Sequence, residues 1–164
     1  MAWSALINDT VLQIRWMDED HRPTTVTADS YLAMLREEVW PEVRAVAGRR
    51  GWWWQQDGAS VHCTEPVLDF LNEKFRGRVI SRRAEHAWPP YSPDLNPLDF
   101  FFWGYAMAEV WRQKPKSIEE LKQVVEHLAR ELSGEIIQRV MANFRKRCEA
   151  CLQASGGAFE YFLD

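Results

Sequence analysis

The chain has 164 residues, 46% hydrophobic and 27% charged, a length that supports one domain with a real core and is short for two. A formal net charge of −4 excludes a surface that grips nucleic acid by bulk positive potential, so any contact with DNA must be local. Three cysteines make an odd count for a disulfide framework, and no run of about 18 apolar residues exists to cross a bilayer, so the sequence reads as soluble and intracellular, with no membrane partner.

In chain order, Met1 to Ile7 and Val11 to Met17 are apolar or alternating runs, with Leu12, Ile14 and Trp16 on one face and Gln13 and Arg15 on the other. Joined by Asn8, Asp9 and Thr10, they predict a β-hairpin. Thr27 then caps a helix carrying Tyr31, Leu35, Val39, Val43 and Val46 at helical spacing, kinked by Pro41 and stopped at Gly48. Trp52, Trp53 and Trp54 lead into a short strand that ends at Asp57 and Gly58. Thr64 and Pro66 start a helix with Val67, Phe70, Leu71 and Phe75 inward and Gly77 as its stop, and Val79 with Ile80 forms another short strand.

The stretch from Trp88 to Gly104 reads WPPYSPDLNPLDFFFWG: prolines that forbid a helix, then aromatics that need burial. It forces a loop-to-helix boundary, with Asn96 as N-cap, Pro97 as first helical residue and Asp99 facing the free amides and positive end of the helix dipole. Beyond it, Ser117 and Glu120 predict a capping box ahead of Ile118, Leu121, Val125, Leu128 and Leu132. Gly134 separates that helix from a last one striped by Ile137, Val140, Met141, Phe144, Cys148 and Cys151. Phe101, Phe102, Tyr105, Leu121, Leu128, Val140 and Phe144 are the expected core of this helical portion. The element order predicts one mixed α/β domain over residues 1–164 with a helical C-terminal portion.

Two acids stand out. Cutting a phosphodiester by in-line attack needs charge neutralised on the entering and the leaving oxygen, which two divalent cations bridged by carboxylates can supply. Asp57 at a strand end and Asp99 in a helix's first turn could converge to hold them. Each acid taken alone also has a plain reading, the first as a strand terminator before a glycine turn and the second as a capping acid.

The segment from Gln56 to His62, QDGASVH, resembles the D-N/G-A-x-x-H element of the mariner superfamily of cut-and-paste transposases, and YSPDLNPLD resembles the run that precedes that family's last catalytic acid. Residues 58 to 98, 41 in all, separate the two acids, and Pro115 to Leu121 resembles the family's P-x-S-I-E-E-L segment. The resemblance implies a ribonuclease H-like fold, a mixed sheet flanked by helices, in which water and then a 3′-hydroxyl attack phosphodiesters at transposon ends. It implies Asp57 and Asp99 as catalytic residues and ligands of Mg²⁺ or Mn²⁺, with no organic cofactor. It further implies a nuclear location, DNA as partner through an upstream domain, and compatibility with a homodimer.

The family's first catalytic acid lies on a strand just upstream of the hairpin, and this chain starts inside that hairpin. The catalytic domain is therefore expected to be incomplete at its N-terminus and the chain alone to be inactive. The alternative is a degenerate or domesticated remnant acting as a protein-interaction or weak DNA-binding module. His62 is either an orienting group for Asp57 or a phosphate, or a packed histidine. Arg49, Arg50, Arg82 and Arg83 are either phosphate contacts or solvated charges, and Asp94 is a turn former. His62, Cys63 and Glu65 with Cys148 and Cys151 lack the spacing of a zinc deaminase site, and the last two cysteines read as core residues.

Overall fold

The structure is a computed structural model that describes residues 1–7, 9–19, 22–23, 25–47 and 51–163. The chain divides into two compact units, one of Met17–Ser92 with Met1, the other of Ala2–Trp16 with Pro93–Asp164.

In the first unit, strands β5 (Asp18–Glu19) and β6 (Arg22–Pro23) form a small antiparallel pair ahead of the helices. Helix α1 (Ala28–Met34) begins at a reciprocal cap in which Thr27 Oγ1 accepts from the Ser30 amide and Ser30 Oγ accepts from the Thr27 amide. A π-helical turn, Leu35–Val39, joins it to α2 (Trp40–Ala47), and the Trp40 amide donates five residues back to the Leu35 carbonyl. Pro41 accounts for this widening, since it brings no amide and its ring would press on the carbonyl four residues earlier. The expected kink is thus a π turn. Tyr31, Leu35, Val39 and Val43 are buried as the spacing predicted, whereas Val46 is 39% exposed because it lies in the helix's last turn, past the region of contact. The expected stop at Gly48 lies outside the described residues.

A parallel three-stranded sheet follows, in the order β7 (Trp54–Gln55), β8 (Val79–Ser81), β9 (His86–Ala87). Helix α3 (Glu65–Phe75) makes the crossover between β7 and β8, as parallel pairing requires, and buries Val67, Phe70, Leu71 and Phe75. It ends one residue before the expected glycine, because Arg76 already adopts a left-handed conformation at φ 51°. β9 had no strand signature, being two exposed residues; the Ser81 carbonyl fixes it by accepting from both the Ala84 and the Trp88 amides.

The second unit opens with the hairpin, which the structure breaks into two antiparallel pairs. β1 (Ala2–Trp3) pairs with β4 (Arg15–Trp16), and β2 (Leu6–Ile7) with β3 (Thr10–Val11). Between them Ser4 and Ala5 face three residues, Leu12, Gln13 and Ile14, so the second strand bulges. The buried Ser4 hydroxyl satisfies the Leu12 carbonyl at 2.7 Å, and both Leu12 and Ile14 turn inward.

The helical portion runs from a π turn, Leu98–Phe102, into α4 (Trp103–Gln113), then α5 (Ile118–Glu131) and α6 (Gly134–Gln153). Ile14, Phe102, Val125 and Ala129 form one buried cluster, lined by Leu98, Phe101, Trp103 and Leu121. The Trp16 indole anchors the hairpin to α5 by donating to Glu126 at 2.8 Å. The box at Ser117 forms only on one side: Ser117 Oγ accepts from the Glu120 amide, while the Glu120 carboxylate accepts from the Lys116 amide instead. Gly134 is not a separator but the first residue of α6, capped by Ser133.

Of the expected core, Phe102, Leu128 and Val140 are buried, Phe101, Leu121 and Phe144 are only half-buried, and Tyr105 is exposed. The π turn is the reason for part of this difference: an extra residue in the turn rotates everything after Phe102 relative to the regular helix the spacing assumed. Phe102→Ala should therefore destabilise the protein by about 3–5 kcal/mol and Tyr105→Ala by less than about 1 kcal/mol, as read from urea midpoints.

Candidate active-site carboxylates

Asp57 follows the parallel ladder directly. The Gln56 amide donates to the Ile80 carbonyl at 3.0 Å and extends the β7–β8 pairing by one step, after which the chain leaves the sheet at Asp57 and Gly58. A 3₁₀ turn, Ser60–Cys63, then folds back. It brings the His62 Nδ1 to 2.6 Å from Asp57 Oδ1, and the Ala59 amide donates to the same oxygen at 3.1 Å. An ionised carboxylate can only accept, so Nδ1 carries the proton in this contact. Oδ2 has no hydrogen-bond partner among the described residues, and the Asp57 side chain is 45% exposed against 15% for His62. The Tyr31 ring lies under the His62 ring, with centroids 4.4 Å apart.

The hydrogen bond from His62 holds the Asp57 carboxyl below its ordinary value of 3.8, against partial burial, which pushes it up; the Ala59 amide adds to the depression. The carboxylate is therefore kept ionised through neutral pH.

Asp99 is positioned by the other boundary. Asn96 Oδ1 accepts from the Leu98 amide at 3.3 Å and the Asn96 carbonyl from the Asp99 and Phe100 amides, so Asn96 caps the helix with Pro97, buried, as its first residue. Asn96 Nδ2 in turn donates to Asp99 Oδ2 at 2.8 Å. Asp99 is exposed and stands inside the π turn.

Asp57 and His62 are thus brought together within the first unit, and Asp99 belongs to the second. Arg82 lies against the Asp57 turn, its Cδ 3.6 Å from where a Gly58 side chain would begin; it and Arg83 are exposed. Arg49 and Arg50 lie outside the described residues. Asp94 sits in a 3₁₀ turn, Pro93–Leu95, and its carbonyl accepts from Arg147. Cys63 is buried with its sulfur 3.8 Å from Ser81 Oγ, and Cys148 and Cys151 are half-buried along α6, where burial pushes the Cys148 thiol up. Sequence reasoning overlooked Gln56, Ser81 and Tyr31 as parts of this site; the signal was a glutamine just before the acid at a strand end.

No protein-family model matches the sequence. The Tcb1 transposable-element transposase of Caenorhabditis briggsae is 26% identical over 137 residues, covering 82% of this chain and 47% of its own length. The Tc3 transposase of Caenorhabditis elegans is 23% identical over 163 residues, covering 98% and 45%. Among solved structures, the Mos1 transposase catalytic domain with raltegravir and Mg superposes with a TM-score of 0.73 at 20% identity, covering 96% of this chain and 75% of that one. The Mos1 mariner paired-end complex with Mn gives 0.76 at 22% identity, covering 93% and 43%. The chain is similar in sequence to transposable-element transposases and in fold to the Mos1 transposase catalytic domain.

Its fold is that of the mariner catalytic domain, ribonuclease H-like, with a mixed arrangement of small sheets and helices. It spans about half the length of the transposases it matches. Among the described residues, no helix of this chain is long and apolar enough to cross a membrane.

The depressed Asp57 carboxyl has a pH consequence. A group whose folded value lies below its unfolded one contributes stability above the unfolded value, and that contribution disappears as pH falls through the folded value. The stability difference between the parent and Asp57→Asn should therefore be constant above about pH 5 and shrink on acidification below 3.8, as read from urea denaturation across pH. His62→Ala should move the Asp57 carboxyl upward in a ¹³C NMR titration.

Proposed function

We propose that this chain is the catalytic-domain polypeptide of a mariner-type transposase and that Asp57 and Asp99 are its metal-binding catalytic carboxylates, serving cleavage and strand transfer at transposon-end DNA. The observation that carries the reading is the state of Asp57: ionised, half-exposed, at the end of a parallel strand, with one oxygen bound by His62 and Ala59 and the other without a hydrogen-bond partner among the described residues. Asp99, exposed and tethered through Asn96, is likewise a hard oxygen donor. Carboxylate oxygens of this kind suit Mg²⁺ or Mn²⁺ rather than softer ions. Such ions, when bound, neutralise charge on the entering and leaving oxygens of an in-line displacement.

The rest of the reading follows from the chain's own residues. Residues 1–164 belong to one catalytic domain. His62 keeps the Asp57 carboxylate turned and ionised. Arg82, beside that turn, contacts the phosphate backbone, with Arg83, Arg49 and Arg50 added from their position in the sequence. Because the chain as a whole is acidic, these contacts orient DNA rather than capture it. The relatives are transposases, and the Mos1 complexes with Mg, with Mn and with paired transposon ends support metal, DNA and an assembly of more than one copy as partners; a chain that acts on such DNA works in the nucleus.

The test is Mn²⁺ binding by the full chain, followed by electron paramagnetic resonance. Asp57→Asn and Asp99→Asn should each weaken it by about tenfold or more, since loss of even an outer-shell partner costs that much. Both variants binding Mn²⁺ as the parent does would leave the non-enzymatic remnant as the reading.

A further inference from the structure

Gln56 is 7% exposed, and its side-chain amide uses its full hydrogen-bonding capacity. Oε1 accepts from the Tyr31 hydroxyl at 3.2 Å and from the Trp54 indole at 3.1 Å. Nε2 donates to the His62 carbonyl at 2.7 Å and to Ser81 Oγ at 3.0 Å. Two of these partners fix the amide's sense, because an indole N–H can only donate and a carbonyl can only accept. Turned over, the amide would set donor against donor and acceptor against acceptor, leaving buried groups unsatisfied. It has one orientation.

That orientation reaches Asp57 along two routes. The bond to the His62 carbonyl anchors the 3₁₀ turn from which the imidazole projects. The bond from Tyr31 sets the ring on which that imidazole rests. With its backbone and its face both held, His62 meets Asp57 through Nδ1, and Oδ1 is the oxygen it takes. We infer that Gln56 is a positioning residue: acting through His62 and Tyr31, it decides that Asp57 presents Oδ2 alone, as a single-oxygen ligand. The inference rests on the proposed role of Asp57 and adds to it a residue that touches neither metal nor substrate.

Three measurements test it, and two of them need no metal. In the parent chain, a scalar coupling should be detectable across the hydrogen bond between Gln56 Nε2 and the His62 carbonyl, with slow exchange of both Nε2 protons. In Gln56→Met, similar in volume but without donors or acceptors, the hydrogen-bonded His62 Nδ1 proton should lose its downfield position in ¹⁵N-edited spectra. The same variant should bind Mn²⁺ about tenfold or more weakly than the parent. A parent spectrum with no coupling and rapidly exchanging Nε2 protons would overturn the proposal even if Gln56→Met failed to fold. So would a folded Gln56→Met with an unchanged Nδ1 signal and unchanged Mn²⁺ affinity. A parent that binds no Mn²⁺ at Asp57 yet shows the coupling and the Nδ1 shift would count against the metal role while upholding the clamp.

Discussion

Gln56 lies buried at the end of a parallel strand pair, where a primary amide is costly unless all its donor and acceptor positions are used. Within the first unit, satisfying it draws together four segments: α1 through Tyr31, β7 through Trp54, the 3₁₀ turn through His62, and β8 through Ser81. The apolar packing there, with Val67, Leu71, Phe75 and Val79 closed off from water, makes the unit compact but does not dictate how its polar end is arranged. The amide does. Hydrophobic contacts tolerate sliding by fractions of an ångström, whereas a hydrogen-bond set with two fixed directions does not.

The second unit is organised by a different constraint, the boundary between prolines and aromatics. Pro97 has no amide to lose at the first helical position, and Asn96 supplies an oxygen to the Leu98 amide. Five residues of π turn follow, closed by the Trp103 amide on the Leu98 carbonyl. The insertion lets Phe102 reach full burial against Ile14, Val125 and Ala129 while Asp99 stays on the surface. One segment thus serves packing and presents an acid.

These two constraints differ in how visible they are in a sequence. The proline boundary, its asparagine cap and the acid at the third position are neighbours along the chain, and residue types alone reveal each of them. The burial of Tyr31, Leu35, Val39 and Val43, and of Val67, Phe70, Leu71 and Phe75, followed from helical spacing. Both acids were legible as motif residues. The π turns were not, because periodicity assumes a regular helix and so misplaced Tyr105. The Gln56 clamp was also hidden, since Tyr31 and Ser81 each lie 25 residues from it and spacing carries no information about such pairings. Nor did the sequence mark the hairpin bulge, where a serine that reads as an ordinary strand residue substitutes its hydroxyl for a ladder bond.

The two acids therefore stand on unequal footing. Asp99 is held by Asn96, three residues earlier, so its placement forms wherever the start of that helix forms and asks little of the rest of the chain. Asp57 is held by His62, five residues later, but His62 is itself held by Gln56 and Tyr31, and these depend on α1 packing beside the sheet. A substitution that loosens α1, such as one at the buried Leu32, disturbs Tyr31 and through it the imidazole, and so reaches Asp57 at a distance. Asp99, by contrast, takes the Asn96 side-chain amide as a partner from within the same turn of its helix. Under the proposed function, the orientational precision of the first acid depends on this chain of contacts and is lost with any link of it.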